Sequence, residues 1–132
     1  MNRRAVQKDR AWPVMVAVLT IVWGLTGVPI ARTEDNLVVP SDEATVALGK
    51  EKYGAKCSGF CHGSGGKGAR APCLICGHFK RGSTNEEIVR NITEGVKGSA
   101  MGAFGEVYSR EEIVAIVAYL RAEQQKKEAE GN

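Results

Sequence analysis

No run of alternating apolar and polar residues of the strand type occurs in the 132-residue chain, and no internal repeat does, which leaves an all-α fold. An excess of charge of one sign is missing too. Once the five basic and three acidic residues before Asn36 are set aside, 13 basic residues face 12 acidic ones, so charge gives no case for a nucleic-acid partner. A glycine-rich run from Gly63 to Pro72 lacks the Lys-Ser or Lys-Thr that a phosphate-cradling loop needs, and Gly66-Lys67-Gly68 opens no helix, which argues against nucleotide. Beyond Asn36 the large apolar side chains are too few for a strong core in a domain of this size. The stretches from 63 to 82 and from 96 to 108 are long for loops unless they enclose something. A large buried cofactor would supply the missing core.

What is present begins with an export segment. Arg3, Arg4, Lys8 and Arg10 precede an apolar run from Ala11 to Ala31. Cleavage after Ala31 would put Pro29 where a small residue is wanted, and the run is long enough, at about 1.5 Å per residue, to span the roughly 30 Å hydrocarbon layer as an anchor. Residues 1–35 are therefore read as an export signal or an N-terminal membrane anchor, with attachment through residues 11–31, and residues 36–132 as one folded domain. Basic residues ahead of the run keep the N-terminus in the cytoplasm, so both outcomes make the domain periplasmic, soluble or anchored to the inner membrane. Four cysteines in an exported domain call for a bond, a metal or a cofactor, because an oxidising compartment does not leave thiols idle.

Three helices are expected. Ser41 is placed to cap a helix from Asp42 to about Lys56, on which Thr45, Gly49, Tyr53 and Cys57 recur along one face. Gly49 there suggests a close packing contact, since it costs a helix about 1 kcal/mol against alanine. Ser83-Thr84-Asn85-Glu86 reads as a capping box opening a second helix with Ile88, Val89 and Ile92 on its apolar stripe and Gly95 as its stop. Ser109-Arg110-Glu111-Glu112 opens a third, with Ile113, Ile116, Val117 and Leu120 facing the core. From Ala122 to Asn132 the apolar period ends, and this tail is expected to fray.

The chemistry concentrates in Cys57-Ser58-Gly59-Phe60-Cys61-His62. This is a haem-attachment signal with one residue more than the usual Cys-x-x-Cys-His, in which both thiols add across the haem vinyl groups and the next histidine reaches the iron. Four residues along a helix rotate by only about 40°, so both sulfurs can still face one ligand. Gly59 is the residue free to absorb the insertion as a bulge. An alternative uses all four thiols, Cys57, Cys61, Cys73 and Cys76, as a structural zinc or iron-sulfur module, since two pairs separated by 11 residues approach zinc-ribbon spacing. A thiol oxidoreductase built on Cys73 and Cys76 lacks the βαβ setting.

Between Ala44 and Arg121 the chain resembles a small monohaem class I cytochrome c. The residues that carry the resemblance are Gly49 with Tyr53, Cys57 to His62, Ala71-Pro72-Cys73-Leu74, Gly95, Met101 with Phe104, and Tyr119 with Leu120. It implies an all-α, cytochrome c-like fold: three main helices and long loops wrapped around one covalent haem c. Cys57 and Cys61 would carry the haem, His62 and Met101 would be the axial iron ligands, and the Pro72 carbonyl would accept from the His62 ring, fixing its tautomer. Met101 has independent support as the only methionine outside the export segment, with His78 as its rival. Three departures stand out: the inserted residue, Gly102 where a proline commonly follows the ligand methionine, and the extra Cys73 and Cys76. Gly102 should loosen the Met101 loop.

The implied function is that of a one-electron carrier and not an enzyme, because two filled axial positions leave no vacancy for substrate. Partners would be redox proteins. From residue 50 to 81, Lys50, Lys52, Lys56, Lys67, Arg70, Lys80 and Arg81 stand against Glu51 alone, so the face around the haem motif should be positive and attract an acidic docking face.

Overall fold

A computed structural model describes residues 37–131 except His78. The expected export segment, the boundary at residue 36 and the rival ligand His78 lie outside the described residues. The described residues form no strand, and none of their helices is long and apolar enough to cross a membrane. Three α-helices follow in order, α1 (Glu43–Lys56), α2 (Asn85–Glu94) and α3 (Arg110–Glu130). Two short turns, a π turn over Ser58–His62 and a 3₁₀ turn over Ser64–Gly66, lie between α1 and α2.

Helix α1 starts one residue later than expected. Asp42 rather than Ser41 caps it, its carboxylate accepting from the Thr45 amide at 2.9 Å and the Thr45 hydroxyl at 2.7 Å. One carboxylate thereby satisfies two donors, and its negative charge suits the positive end of the helix dipole. The face read from the sequence is the one that packs: Gly49 and Tyr53 are buried, Thr45 and Cys57 half-buried. Gly49 marks the crossing with α3. A Cβ there would lie 1.8 Å from the Ala115 carbonyl oxygen, so the two backbones meet with no room for a side chain. Tyr53 then stacks obliquely on Tyr119, ring centroids 5.4 Å apart.

In α2 the capping box is shifted by one residue from the expected pair. Thr84 caps, accepting from the Glu87 amide, while the Glu87 carboxylate accepts from the Ser83 and Thr84 amides. Glu86, the residue expected in that role, instead faces Arg110 of α3 at 3.4 Å. Ile88, Val89 and Ile92 are buried as read, and Gly95 ends the helix with φ of 77°, a conformation that favours glycine. In α3 the box of Ser109 and Glu112 is the one expected, and Ile113, Ile116, Val117 and Leu120 are each at most 2 % exposed.

The tail beyond Arg121 does not fray. Helix α3 runs on to Glu130 because polar partners in the preceding loop replace the apolar stripe. Gln124 is buried at 7 % exposure, donating to the Leu74 carbonyl at 3.2 Å and accepting from Arg121 at 2.8 Å. Arg121 also donates to Asn85 and to the Ser83 carbonyl, tying the start of α2 to α3. Ten buried side chains make up the core, from Tyr53, Ile75, α2 and α3. That is a modest core, as the composition suggested. Around it stand half-buried apolar groups including Cys57, Leu74, Met101, Phe104 and Tyr108.

Candidate haem site

Cys57 caps the C-terminus of α1, its amide still bonded to the Tyr53 carbonyl at 2.8 Å. The next five residues close as one π turn, in which the His62 amide donates to the Cys57 carbonyl at 3.1 Å. A π turn carries one residue more per hydrogen-bonded ring than an α turn, which accommodates the insertion between the cysteines without opening the backbone. The expectation that Gly59 would absorb it through unusual backbone angles is corrected here. Gly59 is not among the positive-φ glycines, and a Cβ on it would meet nothing within 4 Å. The insertion is carried by the widened turn as a whole.

Neither cysteine of the motif is in a disulfide; Cys57 is half-buried and Cys61 exposed. Before attachment, burial, and then the neighbouring Cys61, pushes the Cys57 thiol up to about 11. The His62 ring is half-buried, with Nδ1 3.3 Å from the Pro72 carbonyl oxygen. When Nδ1–H donates there, the Nε2 lone pair is left for a metal. Pro72 is brought to this position by the glycine-rich loop, which returns to the motif on both sides. The Gly68 amide donates to the His62 carbonyl at 2.8 Å and the Ala71 amide to the Cys61 carbonyl at 2.9 Å. Tyr53, buried below, donates to the Gly63 carbonyl at 2.9 Å, and burial pushes its hydroxyl up to about 12.

Met101 lies in the second loop, half-buried against the core. The loosening expected from Gly102 does not follow, because the loop is fastened to the end of α2 instead. The Phe104 and Gly105 amides donate at 3.0 Å to the Ile92 and Thr93 carbonyls, which a helix end leaves without intrahelical partners. Val96 donates to the Met101 carbonyl at 3.0 Å, and the Met101 amide donates to the Ser99 hydroxyl at 3.1 Å. Further along, Tyr108 stacks on Phe104 with centroids 6.4 Å apart and donates to the Lys52 carbonyl at 3.0 Å. That contact with the last turns of α1 brings this loop toward the motif, and burial raises the Tyr108 hydroxyl above its usual value. In the sequence the signal for Tyr108 is its aromatic neighbour Phe104, four positions earlier.

These residues fit a large apolar group with one metal. Two cysteines are held by one turn, an imidazole has one nitrogen engaged and the other open, and a thioether and two aromatic rings pack half-buried against the same core as Cys57. The four-thiol alternative does not survive. Cys73 and Cys76 are joined to each other in a disulfide, and among the described residues no group of three or more His, Cys, Asp or Glu side chains could hold a metal ion. Among the basic residues counted in the sequence, Lys52 is paired with Glu112 at 2.9 Å and Glu51 at 3.4 Å, whereas Arg70 keeps its charge while lying 3.8 Å over the ring of Phe60, itself 67 % exposed.

Residues 44–120 match the family model described as cytochrome c oxidase, cbb3-type, subunit III. No curated protein matches the chain. Among solved structures it is similar to cytochrome cL of the marine methylotroph Methylophaga aminisulfidivorans, with 22 % identity and a TM-score of 0.58 over 70 % of this chain and 67 % of that one. Cytochrome cL of Hyphomicrobium denitrificans matches at 28 % identity and a TM-score of 0.56, over 64 % of this chain and 51 % of that one. A chain of the reducing HAO-like protein complex of Kuenenia stuttgartiensis matches at 22 % identity and a TM-score of 0.58, over 66 % of this chain and 47 % of that one. The chain thus spans about half the length of the latter two. The fold is that of the c-type cytochromes, whose members are electron carriers. With more than half of its residues matched, the chain belongs to the cbb3-type cytochrome c oxidase subunit III family and carries covalently bound haem c with its iron.

Proposed function

We propose that residues 36–132 form a periplasmic one-electron carrier in which Cys57 and Cys61 bind the haem through thioethers, and His62 and Met101 are the axial ligands. Bound haem c supplies the redox chemistry, its iron cycling between ferric and ferrous. The observation that carries this reading is the π turn that links Cys57 to His62 while the His62 Nδ1 stands 3.3 Å from the Pro72 carbonyl. Pro72 fixes which ring nitrogen keeps its proton and strengthens the donor character of the other. Met101, on a loop pinned to the end of α2, contributes a soft thioether that favours the ferrous state and raises the potential. With His62 and Met101 both holding the iron, no ligand position would be left open for substrate, which supports a carrier and not an enzyme.

Partners in this reading are redox proteins with an acidic docking face, and the export segment at residues 11–31 delivers or anchors the domain outside the inner membrane. The test is an absorption spectrum with variants. Sharp reduced haem bands should survive acid-acetone extraction, and tryptic mass spectrometry should find the haem on the peptide holding Cys57 and Cys61. Met101→Ala should lower the potential and admit added imidazole or cyanide. An unchanged potential and spectrum in that variant would remove Met101 from the iron and turn attention to His78.

A further inference from the structure

The second cysteine pair stands apart from the haem-attachment turn and has little structural work to do. A bridge over two intervening residues removes little loop entropy from the unfolded chain. The backbone it spans is already fixed, since the Leu74 amide donates to the Gly66 carbonyl at 2.7 Å, the Leu74 carbonyl accepts from Gln124 at 3.2 Å, and Ile75 is buried. The sulfurs line a cleft of about 430 Å³ together with Lys67, Glu123, Lys126 and Lys127. Lys126 is occupied by Glu123 at 2.8 Å. Lys127, by contrast, directs its ammonium at Cys76, Nζ to Sγ 3.1 Å.

The geometry points to the Cys73–Cys76 disulfide as a thiol–disulfide exchange site for a small dithiol, with Lys127 stabilising the departing Cys76 sulfur. One thiolate of the dithiol attacks Cys73 Sγ, the S–S bond breaks, and Cys76 leaves as a thiolate against the Lys127 ammonium. The second thiolate then attacks the dithiol's own sulfur in the mixed disulfide, closing a cyclic disulfide and releasing Cys73. Two electrons pass from the dithiol to the pair, and the two protons the dithiol loses end on Cys73 and Cys76. Departure is faster the better the leaving thiolate is stabilised, and a lysine ammonium in contact is one of the recognised ways of doing so. The pair is reducible without unfolding because Leu74 and Ile75 are anchored by contacts that do not involve the sulfurs. This inference is independent of the haem ligand assignment.

Dithiothreitol is the probe, applied at pH 7 to the holoprotein after ascorbate has reduced the haem, so that no electrons are diverted to iron. Samples quenched with iodoacetamide are digested, and the mass of the peptide between Arg70 and Lys80 reports the fraction opened. Reduction should proceed while the haem spectrum is unchanged, and Lys127→Met should slow it roughly 3- to 10-fold. Lys126→Met, in the same cleft but paired with Glu123, should leave the rate as in the parent. A disulfide that opens only when the protein unfolds would overturn the proposal. So would a wild-type rate in Lys127→Met, or equal slowing by both variants.

Discussion

A single methyl group at position 49 is enough to separate two helices. Alanine would gain about 1 kcal/mol of helix propensity over glycine, but its Cβ would lie 1.8 Å from the Ala115 carbonyl oxygen, and neither atom can rotate away. Overpacking of this sort costs about 3 kcal/mol, so Gly49→Ala should lower stability by about 2 kcal/mol net. A guanidinium unfolding midpoint no lower than that of the parent would refute the crossing. The sequence disclosed that something packs on Gly49 but not what, because Ala115 is a small residue in a helix whose apolar stripe gives no hint of backbone contact. The motif residues Cys57, Cys61 and His62 were legible outright, since attachment chemistry dictates both residue type and order. Tyr108 and Gln124 were not, because their partners are backbone carbonyls far along the chain, and a carbonyl leaves no mark on sequence.

At the scale of elements, helix existence and apolar faces were readable and helix ends were less so. Two of the three N-termini start a residue later than read, since Ser41 next to Asp42 and Ser83 next to Thr84 offer adjacent caps of similar strength, and sequence alone does not choose between them. For α2 the choice leaves Glu86 facing Arg110 and Glu87 on the Ser83 and Thr84 amides. Thr84→Ala should therefore cost about 1 kcal/mol, whereas Ser83→Ala should cost much less, a contrast that thermal unfolding of the two variants would check. The caps also set an acid limit. Asp42 is held below its usual range by the Thr45 amide and Glu87 by the Thr84 amide, while Glu112 is held there chiefly by Lys52. For groups depressed in the folded state, the unfolded chain takes up protons first as pH falls. Their stabilisation is thus complete above the ordinary carboxylate range, about 4 to 4.5, and is lost as pH falls through and below it. Unfolding midpoints should be level from about pH 7 to 5 and then drop, and the drop should be smaller in Glu87→Gln. A midpoint that rises on acidification would contradict the sign.

At the scale of the whole molecule, a sparse core suffices because the loops are tied to it. Two long loops are not slack: one is stapled to the haem motif through Gly68 and Ala71, the other to α2 through Phe104 and Gly105, and both bring half-buried apolar groups to the edge of the core. The loops are legible in the sequence by their missing period, whereas these staples run between backbone atoms and leave no mark on it. Charge is likewise redistributed by folding. Of the seven basic residues between 50 and 81, Lys52 is neutralised by Glu112 and Glu51, while the exposed Lys56 and Lys67 flank the motif and its loop. Electron exchange at that face should respond to a reagent's charge more than to its size. Oxidation of the ferrous protein by hexacyanoferrate should slow as salt rises, because exposed charges are screened beyond about 8 Å at physiological ionic strength, and a cationic cobalt complex should show the opposite trend. Neutralising Lys56 and Lys67 together as glutamines should cut the low-salt hexacyanoferrate rate several-fold and flatten its salt dependence, with little change in potential. If stopped-flow rates for both reagents are instead flat across ionic strength, the encounter is governed by apolar contact, and the exposed Phe60 beside Cys61 becomes the surface to replace.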